Sequence, residues 1–364
     1  MRRGLSLALA AVLALGVVAA IVISVTGRNK SGPSGPATVV TGVIGSEKQP
    51  FFNDADVQKV FRAQGLDVRV DTAGSRQIAS QDLSKYDFAF PAGEPAAVKI
   101  KKDHRTNTSY QPFFTPMVVA SFKPIAELLV ANGVAKNQGT YYTIDMAAYG
   151  ALVAQNKRWS DLPNNAVYPT TKSILITSTD VRTSNSAAMY LAIASYVANK
   201  NNIVQSPVEA DAVLPAVEPL FLRQGFTQTS SEGPFNDYLS IGIGKAPLVM
   251  IYESQFVARA AAHDGSISKD MVLMYPSPGL LSKHTLVPLN QKGDRVGRLL
   301  QSDSQLQTLE IKYGFRTSNA GQFKTFATGH GVALPDSLNN VIDPPTYEVL
   351  EYMISMIEKK IGGQ

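Results

Sequence analysis

The chain has 364 residues, of which 45% are hydrophobic and 17% are charged. This composition supports one large folded domain or two ordinary ones and excludes a wholly disordered chain. Lys and Arg number 34 against 29 for Asp and Glu, a net charge of +5 that is too small and too dispersed to indicate nucleic-acid binding. Because cysteine is absent and histidines number four, we expect no disulfide, no metal site and no cofactor.

The first 26 residues carry the strongest local pattern. Arg2 and Arg3 precede an apolar stretch over residues 5–25, which is long enough to cross a bilayer as a helix. Cleaved signal peptides have a shorter apolar core of about 7–15 residues, so a signal anchor over residues 1–26 is favoured over a cleaved signal. The rest of the chain is then extracytoplasmic, attached to the cell membrane by a single span, or secreted if the signal is cleaved. Residues 27–37, rich in Gly, Ser and Pro, are predicted to form a flexible tether.

From Thr38 onward, short strands alternate with helices, which predicts an α/β fold with a mainly parallel sheet covered on both faces. The predicted strands are residues 38–45, 66–71, 86–90, 113–122, 173–178, 247–252, 271–275 and 285–289. The main predicted helices are residues 54–64, 125–134, 184–199, 296–313 and 347–361. Asn53 is the expected N-cap of the first of these helices.

Four of the predicted strands end in polar loops. These loops are Gly45-Ser46-Glu47-Lys48, Gly74-Ser75-Arg76, residues 179–186 and Tyr252-Glu253-Ser254. Parallel sheets bind ligands at the carboxyl ends of their strands. Hydroxyls and amide N–H groups at a helix start, beside Arg or Lys, suit an anion or a polar small molecule. Each loop alone is equally well explained by helix capping, but four loops at equivalent places favour a shared site.

Motifs of the common catalytic sites are absent from the sequence. It contains no G-x-S-x-G elbow, H-E-x-x-H, P-loop or Rossmann glycine fingerprint. His284, beside a predicted strand, is expected to be a packed or surface residue rather than a base, and Trp159 a core residue. We therefore expect no enzyme; a hydrolase would need a convergent nucleophile and base.

In this order and spacing, the loops make residues 38–330 resemble the bacterial extracellular solute-binding proteins of the type II periplasmic binding protein superfamily, in the branch with molybdate- and phosphate-type binders. Tyr275-Pro276-Ser277-Pro278 and Tyr313-Gly314-Phe315-Arg316 add to the resemblance. It implies a two-lobed fold with two crossover strands and a ligand in the cleft. Together with the apolar N-terminal stretch, this predicts a two-lobed α/β fold that follows an N-terminal transmembrane helix. The implied lobe 1 is residues 38–122 plus 271–364, and lobe 2 is residues 123–270.

The resemblance also implies a set of ligand-binding residues on these loops, which are Ser46, Ser75, Thr179, Arg182, Ser184 and Tyr252. Lys48 and Arg76, the basic residues beside two of these hydroxyls, are further candidate ligand-binding residues. The chain departs from the family in having an apparent membrane anchor in place of a lipidated cysteine. Glu47, Glu94 and Glu253 near the expected cleft would repel a small oxyanion unless they pair with basic residues. The candidate partners are Lys48, Arg76 and Arg182.

The expected function is non-catalytic capture of a small polar or anionic ligand outside the cell, for an ABC-type importer or a sensor. The alternative is a tethered binding or scaffold module of the same fold that recognises a protein or a cell-wall component. A closed, polar cleft would favour ligand capture, whereas an open, apolar or obstructed cleft would favour the alternative. We expect the membrane as a partner through the N-terminal helix, and no nucleic acid.

Overall fold

The computed structural model describes residues 37–225 and 227–362, so the predicted signal anchor and almost all of the tether lie outside the described residues. Within the two described ranges, no helix has both the length and the apolar character that a bilayer span requires. The strands are β1 (Thr38–Ile44), β2 (Leu66–Thr72), β3 (Phe88–Phe90), β4 (Tyr110–Phe122), β5 (Ala135–Asn137), β6 (Tyr142–Asp145), β7 (Leu248–Tyr252), β8 (Met271–Ser277), β9 (Gly279–Pro288) and β10 (Val341–Ile342).

Helices cover both faces of these strands. The first eight are α1 (Gln49–Asn53), α2 (Ala55–Ala63), α3 (Ser75–Ser80), α4 (Glu94–Asp103), α5 (Lys123–Ala131), α6 (Met146–Ala154), α7 (Asn185–Ala198) and α8 (Pro207–Val217). The others are α9 (Pro219–Leu222), α10 (Glu232–Ser240), α11 (Glu253–Ala261), α12 (Gln291–Ser302), α13 (Ser304–Lys312), α14 (Ala320–Gly329) and α15 (Tyr347–Ile361). Short 3₁₀ turns lie at Ser46–Lys48, Trp159–Asp161 and Gly242–Gly244.

The strands form a mixed sheet in the order β2-β1-β3-β9-β4-β8-β6-β5, with β7 beside β4 and β10 beside β9. β1 runs parallel to β2 and β3, and β6 runs parallel to β8. The long strand β4 runs antiparallel to β7, β8 and β9. The prediction of a mainly parallel sheet was therefore wrong, because the β8–β9 segment returns along β4 in the opposite direction.

The β4–β8–β9 ladder connects two of the hydrophobic clusters in the core. Phe113, in the first half of β4, packs with Val40 and Phe52 around β1, β2 and β3. Met117 and the rest of β4 pack in a larger cluster with β6, β7, β8 and α7. Met353 and its neighbours on α15 lie in that larger cluster, beside α8. The predicted lobe boundaries stay a prediction.

Two predicted elements near the loops differ from the structure. The stretch 173–178 is extended but is not a regular strand; it pairs with β7 through an isolated bridge between Thr177 and Val249. Side chains replace a strand partner here, because Ile176 N donates to Tyr149 Oη (2.9 Å) and Ser178 N donates to Gln224 Oε1 (2.7 Å).

Helix capping accounts for two further differences. The predicted helix over 296–313 is two helices, because Asp303 accepts hydrogen bonds from Gln305 N and Leu306 N and so begins α13. Asp54, not Asn53, caps α2, since its carboxylate accepts from Asp56 N at 2.7 Å. The last helix has the bounds that the sequence predicted.

Candidate functional site

A small pocket lies where the end of β7 and the loops that follow β1 and β2 meet the residues at the starts of α7 and α10. Its polar side chains are mostly hydroxyls: Ser46, Ser75, Ser184, Thr229, Ser230, Ser231 and Tyr252. Glu47 and Asn185 are the other polar side chains of the lining. The sequence separations are large, so the fold, rather than local structure, brings these groups together.

The walls of this pocket touch one another. A Cβ atom on Gly74 would overlap the carbonyl oxygen of Thr183, so the backbones of two distant loops are in direct contact. A Cβ atom on Gly93 would likewise overlap Asn185 Oδ1. On another side, the Ser46 and Ser230 hydroxyl oxygens are 3.5 Å apart. The loops on the two sides of the pocket are therefore in direct contact.

Helix α7 begins at the pocket, and the side chain of its N-cap residue Ser184 accepts no hydrogen bond from the first N–H groups of the helix. Helix α10 also begins there, but Glu232 N and Gly233 N donate to Ser230, and the next residue, Pro234, has no N–H. The short helix α3 begins at Ser75. The first N–H groups of a helix have no intrahelical partner, and the helix dipole places partial positive charge there. Such helix starts suit the acceptor oxygens of a ligand.

Hydrogen bonds hold the hydroxyl groups in place. Ser75 Oγ accepts from Ala92 N (2.9 Å), and Asn185 Nδ2 donates to Tyr252 Oη (3.1 Å). Burial, and then the nearby charge of Glu47, raise the pKa of Tyr252 far above its usual value. The phenol therefore stays protonated at physiological pH and has a proton to donate to a ligand.

Behind the pocket, the Ser184 hydroxyl continues into a small chain of hydroxyls. Its Oγ lies 2.9 Å from Ser186 Oγ, which lies 2.9 Å from Thr179 Oγ1. Thr179 is buried and is not part of the lining. Ser186 therefore lies between Ser184 and Thr179, and Thr179 is connected to the pocket only through these hydrogen bonds.

Glu47 and Lys48 form an ion pair at the pocket wall. The Lys48 side chain is fully buried, and its ammonium pairs with the Glu47 carboxylate and donates to His284 Nδ1 at 3.1 Å. The same ammonium lies 4.8 Å from the centre of the Phe90 ring. Burial lowers the pKa of Lys48. Burial, and then the charge of Lys48, lower the pKa of His284 well below its usual value, so the imidazole is neutral.

Arg76 and Arg182 lie at the rim of the pocket, where each pairs with a carboxylate. Arg76 Nε donates to Glu351 Oε2 on α15 (2.6 Å), and its Nη1 donates to the backbone oxygen of Arg182 (2.8 Å). Arg182 in turn forms a salt bridge with Asp180 on its own loop. These contacts tie the loop after β2 to the loop before α7 and to α15.

The predicted pairing of the cleft carboxylates is confirmed only for Glu47. Glu94 pairs with Lys283 at 3.0 Å, on a different surface. Glu253 is buried and pairs with Arg316 at 2.7 Å, while Tyr275 donates a hydrogen bond to it. Neither carboxylate lines the pocket.

The structure brings four of the eight predicted site residues to the pocket: Ser46, Ser75, Ser184 and Tyr252. The other four lie behind its wall or at its rim: Lys48, Arg76, Thr179 and Arg182. Their roles in ligand binding stay predictions. Sequence reasoning missed the stretch Thr229-Ser230-Ser231. Its signal was a hydroxyl cluster just before a helix, a pattern that is common and was not assigned to any strand end.

A larger groove continues outward from the pocket. The two share Ser46, Glu47, Ser230 and Ser231. Beyond these, the groove is lined by apolar faces such as those of Phe235 and Tyr313, and by Glu232 and Arg259. Within residues 37–225 and 227–362, no three His, Asp or Glu side chains are grouped so that they could hold a metal ion.

No protein-family model matches this chain, and no curated protein matches it. Solved structures match its fold. A periplasmic thiamin binding protein is 14% identical, with a TM-score of 0.56 over 89% of this chain and 96% of that chain. The substrate binding protein of an ABC transporter from Agrobacterium tumefaciens is 14% identical, with a TM-score of 0.54 over 90% of this chain and 96% of that one.

A third solved structure, iron-bound HitA from Pseudomonas aeruginosa, is 11% identical, with a TM-score of 0.53 over 89% of this chain and 99% of that one. The chain therefore has the two-lobed fold of the periplasmic solute-binding proteins, which confirms the resemblance seen in the sequence at the level of fold. Its place in the molybdate- and phosphate-type branch stays a prediction.

Proposed function

We propose that this chain is a non-catalytic, extracytoplasmic solute-binding protein that captures a small polar ligand between its lobes. One observation carries the proposal. Seven hydroxyl side chains and the start of α7, from segments far apart in sequence, line one pocket. Such a pocket offers many hydrogen-bond partners to a ligand. The same residues offer no paired nucleophile and base, which supports a binding protein over an enzyme.

The proposed partner is the permease of an ABC-type importer or a membrane sensor. The solved protein from Agrobacterium tumefaciens is the substrate binding protein of an ABC transporter, which supports the importer. We propose that residues 1–26 anchor the chain in the cell membrane and that residues 27–37 let the folded part reach its partner. A cleaved signal would instead release the folded part.

The proposed lobes are residues 38–122 plus 271–364 and residues 123–270, with β4 and the β8–β9 segment as the connections between them. A ligand that contacts both lobes stabilises the closed form over the open one. In this division α15 belongs to lobe 1 by sequence but packs beside α8 of lobe 2, so it bridges the lobes at the rim.

A thermal-shift screen of the full chain in detergent micelles tests the proposal. The panel contains oxyanions, amino acids, sugars, metal ions and thiamine. A ligand at 100 times its Kd stabilises the protein by about 2.7 kcal/mol. The Tyr252→Phe variant, which removes one buried hydroxyl of the pocket, should lose most of this gain in stability. The control Tyr168→Phe should keep it, since Tyr168 lies outside the pocket.

Stabilisation by no compound of the panel would contradict ligand capture. Binding to a cell-wall fragment or a membrane protein, without any small ligand, would support the tethered scaffold module instead. Equal stabilisation of wild type and Tyr252→Phe would show that a ligand binds somewhere other than this pocket.

A further inference from the structure

The chain enters its folded part at one particular edge of the sheet. β1 begins at Thr38, whose N–H donates to the backbone oxygen of Gly65 (2.9 Å), between the end of α2 and the start of β2. β1 runs parallel to β2 and β3, and β9 runs antiparallel to β3. The starts of the first three strands and the end of β9 therefore share this edge, which we call the basal edge. The candidate pocket lies at the opposite ends of β1 and β2.

Exposed basic side chains from three segments lie along the basal edge. Arg62 is in the last turn of α2, and Arg295 on α12 reaches the same place, since its Nη2 donates to the backbone oxygen of Gln64 at 3.0 Å. Lys292, one turn earlier on α12, has its ammonium 3.5 Å from the carboxylate that directly precedes β3. Arg105 lies between the end of α4 and the start of β4, which begins opposite the end of β9. These four exposed side chains form the basal surface.

The positive charge of the basal surface is not neutralised within the fold. The ion pairs of residues 37–225 and 227–362 include none to Arg62, Arg105 or Arg295. Neighbouring carboxylates are already paired with other basic residues: Asp67 with Arg69, Asp103 with Lys99 and Asp294 with Arg298. The folded part as a whole is almost neutral, because four of the five net positive charges of the chain belong to residues 1–36. The basal surface therefore reflects an uneven distribution of charge and not a general excess.

The proposed anchor places this surface beside a membrane. Residues 27–37 span at most about 40 Å even when fully extended, and they lead directly to Thr38 at the basal edge. The pocket lies about 20 Å further on, at the other end of β1. Basic side chains are attracted to an anionic membrane surface, and a short connection raises their effective concentration there. Arg28 and Lys30, between the proposed anchor and the basal edge, add charge of the same sign.

We propose that the basal surface docks on anionic lipid headgroups of the membrane in which the chain is anchored. Arg62, Arg105 and Arg295 supply the free charge, and a guanidinium group suits a headgroup phosphate because it can form two parallel hydrogen bonds with it. This inference rests on the proposed anchor and does not depend on which ligand the pocket takes. In the docked form the pocket end of β1 points away from the bilayer.

Fluorescence energy transfer from the full chain to the membrane tests the docking. Because the sequence has no cysteine, one donor dye can be attached at Ala63→Cys, at the exposed end of α2, or at Thr72→Cys, at the pocket end of β2. The chain is reconstituted in vesicles that carry an acceptor dye on the headgroups, made of phosphatidylcholine alone or mixed with phosphatidylglycerol. Phosphatidylglycerol should raise the transfer from Ala63→Cys more than that from Thr72→Cys. Salt at about 1 M should abolish the difference, because it screens the charges.

Neutralising the basal surface gives the decisive comparison. Each basic residue near an anionic membrane surface contributes about a fivefold preference for the docked form. The triple variant Arg62→Gln/Arg105→Gln/Arg295→Gln should therefore lower the ratio of docked to undocked chain about a hundredfold. The triple variant with Lys at the same three positions keeps the charge and should dock nearly as wild type does. This pair of variants separates the loss of charge from a disturbance of the fold.

The matched control removes the same charge from exposed sites in the proposed lobe 2. The variant Lys136→Gln/Lys200→Gln/Lys269→Gln should dock as wild type does. Equal transfer in the two kinds of vesicle, or unchanged docking of the glutamine variant of the basal surface, would overturn the inference and leave ligand capture intact. Docking on a soluble anionic polymer without any response to phosphatidylglycerol would overturn it in favour of a cell-wall component. Release of the full chain from phosphatidylcholine vesicles would contradict the proposed anchor and, with it, this inference.

Discussion

The Glu47–Lys48 pair at the pocket wall and the arginine pairs at its rim differ in how much water reaches them. Lys48 is fully buried beside a nearly buried carboxylate. Arg76 and Glu351 leave 30% and 25% of their side chains exposed, and Arg182 leaves 39% exposed. Charges removed from water cost free energy unless paired, whereas exposed pairs contribute little.

This difference indicates separate tasks for the two regions. At the wall, the buried Lys48 joins the loop after β1 to His284 on β9. At the rim, Arg76 joins the loop after β2 to the loop before α7 and to α15, and Arg182 pairs with Asp180 on its own loop. Basic side chains near the candidate site therefore do not have to line it; here they hold the loops that do.

Breaking the wall pair should have the largest effect. Lys48→Met leaves the Glu47 carboxylate nearly buried and unpaired, which should lower the free energy of unfolding by about 3–5 kcal/mol. The double variant Glu47→Gln/Lys48→Met should recover most of this loss, because no unpaired charge remains. Urea unfolding of the full chain in detergent measures both.

The matched control for this experiment is Lys283→Met. Lys283 pairs with Glu94 and Asp343 but is about one-third exposed, so its loss should cost less than about 1 kcal/mol. Equal losses for Lys48→Met and Lys283→Met would remove the distinction between buried and exposed pairs.

The next largest effect should come from the contact between the walls. An alanine methyl at Gly74 overlaps the Thr183 carbonyl oxygen only when the loops are together, so Gly74→Ala should disfavour the closed form by about 1–3 kcal/mol. Small-angle X-ray scattering should show a larger radius of gyration than for wild type. Gly150→Ala is the control, because its methyl meets open space on α6. The same radius in both variants would mean that Gly74 does not report on closure.

His284, behind the pocket wall, should make the free energy of unfolding depend on pH. The pKa of His284 in the folded state is well below the usual 6.5, because of burial and the charge of Lys48. Below pH 6.5 the unfolded chain therefore binds a proton that the folded chain does not. Stability is retained above pH 6.5 and falls by about 1.4 kcal/mol per pH unit below it, until the folded pKa is reached.

The His284→Met variant removes the contribution of this histidine to the pH dependence of stability. Urea unfolding at pH 7.5, 6.0 and 5.0 should show a shallower loss of stability in the variant than in wild type, since other acidic and basic groups titrate equally in both. The rim has no histidine in contact with Arg76 or Arg182 among the described hydrogen bonds, so Arg76→Gln should leave the pH slope unchanged. Parallel slopes for wild type and His284→Met would contradict the burial argument.

Sequence patterns were sufficient for the α/β class of the fold, though not for the topology of its sheet, and for four of the eight predicted site residues. Period and capping predicted α15 with its observed bounds, and strand-end loops predicted Ser46, Ser75, Ser184 and Tyr252 at one pocket. These predictions depend on local signals or on the general rule for strand ends.

What could not be predicted depends on the direction of single side chains. Lys48 follows Ser46 by two residues, yet it turns into the core because His284 and Phe90, far away in the chain, receive it there. The mixed sheet has the same origin, since the direction in which β9 returns along β4 is set by tertiary pairing. Alternation of strands and helices carries no information on either point.

The smallest effect should be at the rim. Glu351→Gln removes the charge partner of Arg76 on α15. Because both side chains are partly exposed, the free energy of unfolding should fall by only about 0.2–1 kcal/mol. The difference from wild type should shrink in 1 M salt, where screening acts over about 3 Å. Glu348→Gln is the control, since its pair with Lys102 is more exposed and should contribute nothing measurable. A loss as large as that of Lys48→Met would mean that α15 carries the closed form and that rim and wall are one cooperative unit.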